Sequence, residues 1–499
     1  MSANSFSTLL EQFKTIACVE SIEHLLEWDQ QVMMPKMAGP GRGEQSAFIA
    51  GTFHELLSSK RLQDLIGSLK QQSGLNDLQQ AIVEDADWRV SRAVKVPNEL
   101  AKRIAGLKVK TIQAWETARA TESFSGVEDL LEELFSAYKE RCTYVDSKTP
   151  LYQVMVADYE RGAAVEDLRK VFSELRVSLV ELVNELKELG SDAVVCNFGE
   201  KDFPKNVQAE VCHRMVAQLG FPFDEGRLDT TIHPFCNTCG PRDIRLTTRY
   251  LEHDFIFGLT SAMHEAGHGL YELGLDKDYI GTAKGRYCGL GVHESQSIMW
   301  ERHVGLSSEF WSYCYPQVRP LFPALSSVDE KKFYKHIHRV KPGLIRIASD
   351  EITYHLHIIA RFELEVELVG GSLSIKDLPE AWDEKYHSML GIRAESPRDG
   401  VLQDIHWYGG HFGYFPTYSL GAMYAAQLFS AFEKSSPNWR DDFSKGNFEH
   451  LLGWLRQNIY QHGAVYLPKD LITRASGSAP NPRYLIDYLR NKYLGIFKS

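Results

Sequence analysis

His264 and His268 stand four residues apart in the string His264-Glu265-Ala266-Gly267-His268. On an α-helix that spacing sets two side chains about 40° apart around the axis and one turn apart along it. Both imidazoles then face one way and can hold one metal ion, with Glu265 flanking a water on that ion. This is the HExxH arrangement of zinc peptidases. Neutral imidazole suits zinc, and catalytic zinc takes three protein ligands and leaves a fourth position for water. The pKa of such a water falls to about 7. Glu265 would accept its proton during attack on a peptide carbonyl and pass it to the leaving amine. The bland alternative is a chance string with two surface histidines. Against it, residues 255–263 are largely apolar, as a buried helix requires, and Gly274 offers a helix stop.

Spacing says less about the third ligand. Glu272 follows His268 by four residues, but one more turn along the same helix lies too far from the ion. A ligand from another helix closes the site more easily. Gly289 and Gly291 interrupt the chain, so a new helix can start near His293. Glu294 in His293-Glu294-Ser295-Gln296-Ser297 is the attractive candidate, with Glu301 and Glu309 as rivals.

Further strings converge on one family. They run in order: His233-Pro234-Phe235, Asp243-Ile244-Arg245-Leu246-Thr247, the His264–His268 string, His293-Glu294-Ser295-Gln296, Ile345-Arg346 with Asp350, and Gly400-Val401-Leu402-Gln403-Asp404-Ile405-His406-Trp407. Leu26-Glu27-Trp28-Asp29-Gln30 also resembles the family's opening. In these features the chain resembles, over nearly its whole length, the Taq-type thermostable metallocarboxypeptidases. These are zinc- or cobalt-dependent enzymes that remove single residues from peptide C-termini. The resemblance implies His264, His268 and Glu294 as metal ligands and Glu265 as general base. It places His233 in a loop lining the substrate groove and maps two arginine motifs onto Arg245 and Arg346. Arginine suits a peptide carboxylate because its planar fork donates two parallel charge-assisted hydrogen bonds. Which of the two arginines takes that carboxylate is left open.

Gly413-Tyr414-Phe415-Pro416-Thr417-Tyr418 also resembles the family. A tyrosine hydroxyl near the metal would stabilise the tetrahedral oxyanion by a few kcal/mol. Tyr418 is favoured, then Tyr414, with simple ring packing as the alternative for each. His406 and His411 either line the groove or are hydrogen-bonded structural histidines. Two departures stand out: Ser349 precedes Asp350 where the family usually carries Ala, and Cys236 and Cys239 follow the His233 string. The serine is expected to matter little. The C-x-x-C pair is either two reduced cysteines in a loop or a redox switch beside the site.

The eight cysteines are scattered, unlike a disulfide scaffold, and no second C-x-x-C completes a zinc ribbon. The formal net charge of −11 and the lack of any Lys/Arg block argue against a nucleic-acid partner. Residues 1–12 carry no basic start followed by an apolar run, and no stretch approaches 18 apolar residues. The expected location is therefore cytoplasmic, with no membrane partner.

Helical periodicity dominates. Leu168, Val171, Phe172, Leu175, Leu179, Leu182 and Leu186 form an apolar stripe over Val165 to Gly190. Glu351 to Val369 reads similarly, with Asp350 as N-cap and Gly370-Gly371 as stop. Residues 98–141 read as one or two long helices, and 382–390 and 419–433 as further ones. Ile244 to Tyr250 is rich in β-branched residues and reads as a strand. Lying just before the zinc helix, it could pair with extended substrate as edge strands do.

The expectation is a mainly α fold: a multi-helix, two-lobed molecule with a deep groove and a small β-sheet near the zinc helix. It forms one catalytic domain over 1–499, with an N-terminal helical lobe over about 1–195 and a zinc-bearing lobe over about 196–499. The expected function is hydrolysis of the C-terminal bond of peptides with a free C-terminus, using Zn2+ or Co2+. The resemblance also implies a homodimer. An oligopeptidase or endopeptidase with the same site remains open, as does a helical peptide-binding protein with a vestigial zinc. Retention of Glu265 speaks against the latter.

Overall fold

The computed structural model describes residues 2–498, with side chains from residue 5 onward. It is mainly helical, with one three-stranded sheet. Its residues group into two compact units. The first comprises 1–93, 196–334 and 424–480; the second comprises 94–195, 335–423 and 481–499. One crossing between them falls after Val195, near the expected lobe boundary, but the residues before it are shared between both units.

In the first unit, β1 (Gly226–Thr230), β2 (Cys236–Gly240) and β3 (Asp243–Thr248) form a sheet in the order β1-β3-β2. β3 pairs in parallel with β1 and antiparallel with β2. The strand read from sequence is therefore present but central. Both of its edges are taken, so it has no free edge for substrate. Its alternation explains the spacing of its motif. Ile244 and Leu246 are buried toward the metal-motif helix, Phe255–Gly274, where both lie 3.0 Å from a Cβ built at Gly269. Thr248 shares that face and donates to the Gly258 carbonyl at 2.8 Å. Asp243, Arg245 and Thr247 point the other way.

The motif helix starts at Asp254, whose Oδ1 accepts from the N–H groups of Ile256 and Phe257 at 3.0 and 3.3 Å. It is buried nearly all round, so its small residues mark contacts. The helix ends at Gly274, the expected stop, where Tyr460 packs in the space a Cβ would take. At Gly267 a Cβ would stand 2.5 Å from the Gln296 carbonyl oxygen and 2.7 Å from Ser297 Cα. That glycine lets the Leu290–Ile298 helix lie directly against the motif helix. A π-helical turn, Met299–Val304, follows.

In the second unit the Val165–Glu188 helix buries Leu168, Phe172, Leu175, Leu179, Leu182 and Leu186, as its stripe predicts. The 98–141 region is two helices, Asn98–Ala120 and Glu128–Val145, parted near Glu122 at φ 55°. The helix expected from Glu351 begins at Thr353, although Asp350 still accepts from Ile352 and Thr353 N–H. It ends with Gly371 left-handed at φ 79°.

Replacing Gly267 weighs two effects. Alanine gains about 1 kcal/mol in helix propensity, but overpacking against backbone that cannot rotate away costs about 1–3 kcal/mol or more. Gly267→Ala is expected to lower the melting temperature and weaken metal binding as the Glu294 helix is pushed back. Gly51→Ala has nothing within 4 Å of the new Cβ and serves as the control; it should not lower the melting temperature.

Candidate active site

Within the first unit the motif helix aims His264 and His268 at Glu294 on the neighbouring helix. Glu294 Oε2 lies 3.7 Å from His264 Nε2 and 3.6 Å from His268 Nε2. One ligand atom from each residue fits within 4.8 Å of the others. The far nitrogens are committed elsewhere. His264 Nδ1 donates to Glu301 Oε2 at 2.8 Å, and His268 Nδ1 donates to the His293 carbonyl at 3.1 Å. Those bonds turn both Nε2 atoms toward Glu294, the orientation that metal-binding histidines require.

The electrostatics favour a cation. Burial pulls His264 down, but Glu294, then Glu301 and Glu265, outweigh it and raise it to about 10. Burial, with His293 and His264 beside it, holds His268 well below its usual value and neutral. Burial raises Glu265 to about 7, His264 opposing and Glu294 and Glu301 adding. Three carboxylates around one imidazole pair therefore call for positive charge. The donor set of two imidazoles and one carboxylate fits a catalytic divalent metal.

Glu301, read from sequence as a rival ligand, instead orients His264; the π-helical turn presents it there. Glu272 is not a ligand either: its Oε1 meets His293 Nε2 at 3.0 Å. The His293 ring stacks on His268 at 4.4 Å between centroids. Glu309 pairs with Arg440.

Arg245 lies on the sheet face away from the motif helix. Its Nε and Nη2 grip Asp243 at 2.5 and 2.8 Å, and its guanidinium sits 4.3 Å over Trp28. The Leu26–Gln30 string thus covers this face, with Asp29 paired to Arg42 at 2.5 Å. His233 is exposed in the loop before β2. Cys236 and Cys239 lie in β2, not in a loop. Both are free thiols, and burial raises them, Cys239 to about 12, the opposite of the lowered pKa that a reactive thiol needs.

Arg346, His406, Tyr414 and Tyr418 lie together in the second unit. The His406 Nε2 and Tyr418 hydroxyl are 3.2 Å apart, and the Tyr414 and Tyr418 rings 5.3 Å. Burial lowers His406 to about 3, so its ring is neutral. His411 Nδ1 is 3.5 Å from the Tyr159 hydroxyl. Ser349 donates to the Arg346 carbonyl at 2.5 Å, closing a local turn.

Residues 8–493 match the sequence profile of the family described as Carboxypeptidase Taq (M32) metallopeptidase. The chain belongs to the Taq (M32) carboxypeptidase family. It is 36% identical to thermostable carboxypeptidase 1 of Thermus thermophilus, with 99% of each chain covered. It is 35% identical to carboxypeptidase 1 of Bacillus subtilis over 95% of each. Its fold matches the crystal structure of an M32 carboxypeptidase from Deinococcus radiodurans with a TM-score of 0.96, at 35% identity, covering 99% of this chain and 100% of that one. The chain is thus a metal-dependent peptide hydrolase, a carboxypeptidase, and its family implies a divalent metal.

Sequence reasoning missed the orienting role of Glu301, the ring of His293 and the partners of Arg346. The last had a signal, since Asp404 sits inside the quoted Gly400–Trp407 string. Removing an orienting partner typically costs a metal site 10–100-fold in affinity. Glu301→Ala is expected to weaken metal binding by about that factor, measured by competition with a chelator of known affinity, while the fold survives. Unchanged affinity would remove Glu301 from the site.

Proposed function

We propose that this family member trims peptides from the C-terminus by general-base hydrolysis at His264, His268 and Glu294, with Glu265 as the base. The convergence of two Nε2 atoms and one carboxylate oxygen, with both Nδ1 atoms committed elsewhere, carries this reading. His264, His268 and Glu294 would hold the metal. A bound divalent ion supplies Lewis acidity, acidifying water and polarising the scissile carbonyl. Glu265 takes one proton from the attacking water as its oxygen bonds to the carbonyl carbon. It then gives that proton to the departing amine as the C–N bond breaks.

Zinc is proposed as the metal, with cobalt as the alternative, because neutral imidazole and carboxylate suit both. Tyr418, and Tyr414 beside it, would donate to the developing oxyanion. Arg346 would take the substrate's terminal carboxylate. Arg245, His233 and His406 would shape the binding surface. The whole chain would act as one catalytic domain. A cytoplasmic homodimer remains part of the proposal: the dimer rests on the family resemblance, and the location is consistent with eight free thiols.

Glu265→Gln should lower kcat by about 10²–10⁴-fold, the usual worth of a general base, while metal content stays at wild-type stoichiometry. Near wild-type turnover would refute the assignment. A mass-spectrometric ladder of a peptide incubated with enzyme should show single-residue C-terminal losses that stop when a chelator is added. Amidating the peptide's C-terminus should reduce cleavage by about two orders of magnitude, the cost of removing one charge partner. Internal fragments would favour an endopeptidase.

A further inference from the structure

Inside the second unit one carboxylate serves two guanidiniums. Arg346 Nη2 donates to Asp404 Oδ1 at 2.8 Å, and its Nε lies 3.2 and 3.3 Å from the two carboxylate oxygens. Arg361 reaches Asp404 Oδ2 through Nε at 2.7 Å and Nη2 at 2.5 Å. Burial opposes ionisation of Asp404, but the two arginines outweigh it and hold the carboxyl far below its usual range.

The two arginines are not equivalent. Arg361 is wholly enclosed. Its Nη1 donates to the His357 carbonyl and the Tyr386 hydroxyl at 2.7 and 3.0 Å, and its guanidinium lies 4.4 Å over Trp382. No ligand can reach it. Arg346 is 6% exposed, donates from Nη1 to the Tyr354 hydroxyl at 3.2 Å, and lies 5.2 Å over Tyr418. Its backbone N–H is held by Gln403 Oε1 at 2.9 Å, and the Gln403 amide is anchored on the carbonyls of Leu344 and Asp399.

Among the described residues, Asp404 is the one carboxylate paired directly to the two guanidiniums. Burial keeps His406 and His357 neutral. Glu365, one turn beyond Arg361, accepts from Tyr152, Trp407 and the Gly413 N–H rather than from either guanidinium. Arg245 provides the contrast, matched one to one with Asp243. A guanidinium neutralised one to one has little attraction left for a second anion. Two on one carboxylate leave surplus positive charge, which acts more strongly in a desolvated interior than in water.

We propose that Arg361 is a positioning residue: by sharing Asp404 it keeps the Arg346 guanidinium under-neutralised, ready for an incoming carboxylate. This rests on the reading that Arg346 receives the peptide's terminal carboxylate. Arg361 never touches substrate. It acts through Asp404, and Asp404 in turn fixes the plane of the Arg346 fork.

The test uses the metal-loaded full-length enzyme, a peptide with a free C-terminus, and an N-acyl amino acid as a competing monocarboxylate. Arg361→Met removes the charge at similar length, and Arg361→Lys keeps it. Arg361→Met is expected to raise KM and the inhibitor's Ki about tenfold or more, equivalent to about 1.4 kcal/mol, with kcat changing less than KM. Arg361→Lys should recover most of that loss. If Arg361→Met does not fold, Arg361→Gln carries the same charge comparison. Equal impairment of the lysine and charge-free variants, or an unmoved KM and Ki, overturns the inference. Arg346→Met separates the two levels: if it raises KM while Arg361→Met does not, the carboxylate reading stands and the Arg361 role fails. If Arg346→Met leaves KM unchanged, the carboxylate reading itself fails.

Discussion

Close contact between two helices is the constraint on which the metal centre depends. Glu294 reaches the imidazoles because Gly267 has no side chain and the Gln296–Ser297 backbone occupies that space. A metal with three protein ligands tolerates little displacement of any one, since its bond lengths are fixed within a few tenths of an ångström. The two variable positions of the His264–His268 string, Ala266 and Gly267, are therefore packing choices in service of chemistry. The sheet plays the same part on the opposite side, where Gly269 admits Ile244 and Leu246 and the Gly258 carbonyl accepts from Thr248.

Around that contact each ligand has a partner of its own. Glu301 holds one imidazole, the His293 carbonyl holds the other, and Glu272 fixes the His293 ring that stacks on His268. The arrangement concentrates acidic charge where burial alone would oppose it. Carboxylates gathered in a desolvated space are costly unless a cation joins them. Glu294 and Glu301 push His264 upward for the same reason. The second unit shows the converse, two buried guanidiniums on one carboxylate.

Much of this was legible in the sequence because periodicity carries it. The four-residue histidine spacing and the apolar stripe of 165–190 follow from the repeat of a helix, and the strand over Ile244 to Tyr250 from its β-branched residues. Long-range pairing was not legible. That β3 is central depends on β1, whose Gly226–Thr230 sequence carries no β-branched run. That Glu301 orients rather than ligates depends on a π-helical turn without a sequence signature. Gly274 marks the helix end as read, but the packing of Tyr460 against it comes from a distant part of the chain. The cysteine pair is reduced, as one of its two readings has it, but stands in β2 rather than in a loop.

The central claim is that one metal ion lies between His264, His268 and Glu294. Anomalous scattering from a zinc-replete crystal tests it most directly. The account predicts a single peak about 2.0–2.2 Å from both Nε2 atoms and a Glu294 oxygen, with Glu301 outside bonding distance. No peak among those three side chains, or an ion bonded to Glu301 in place of Glu294, would contradict it.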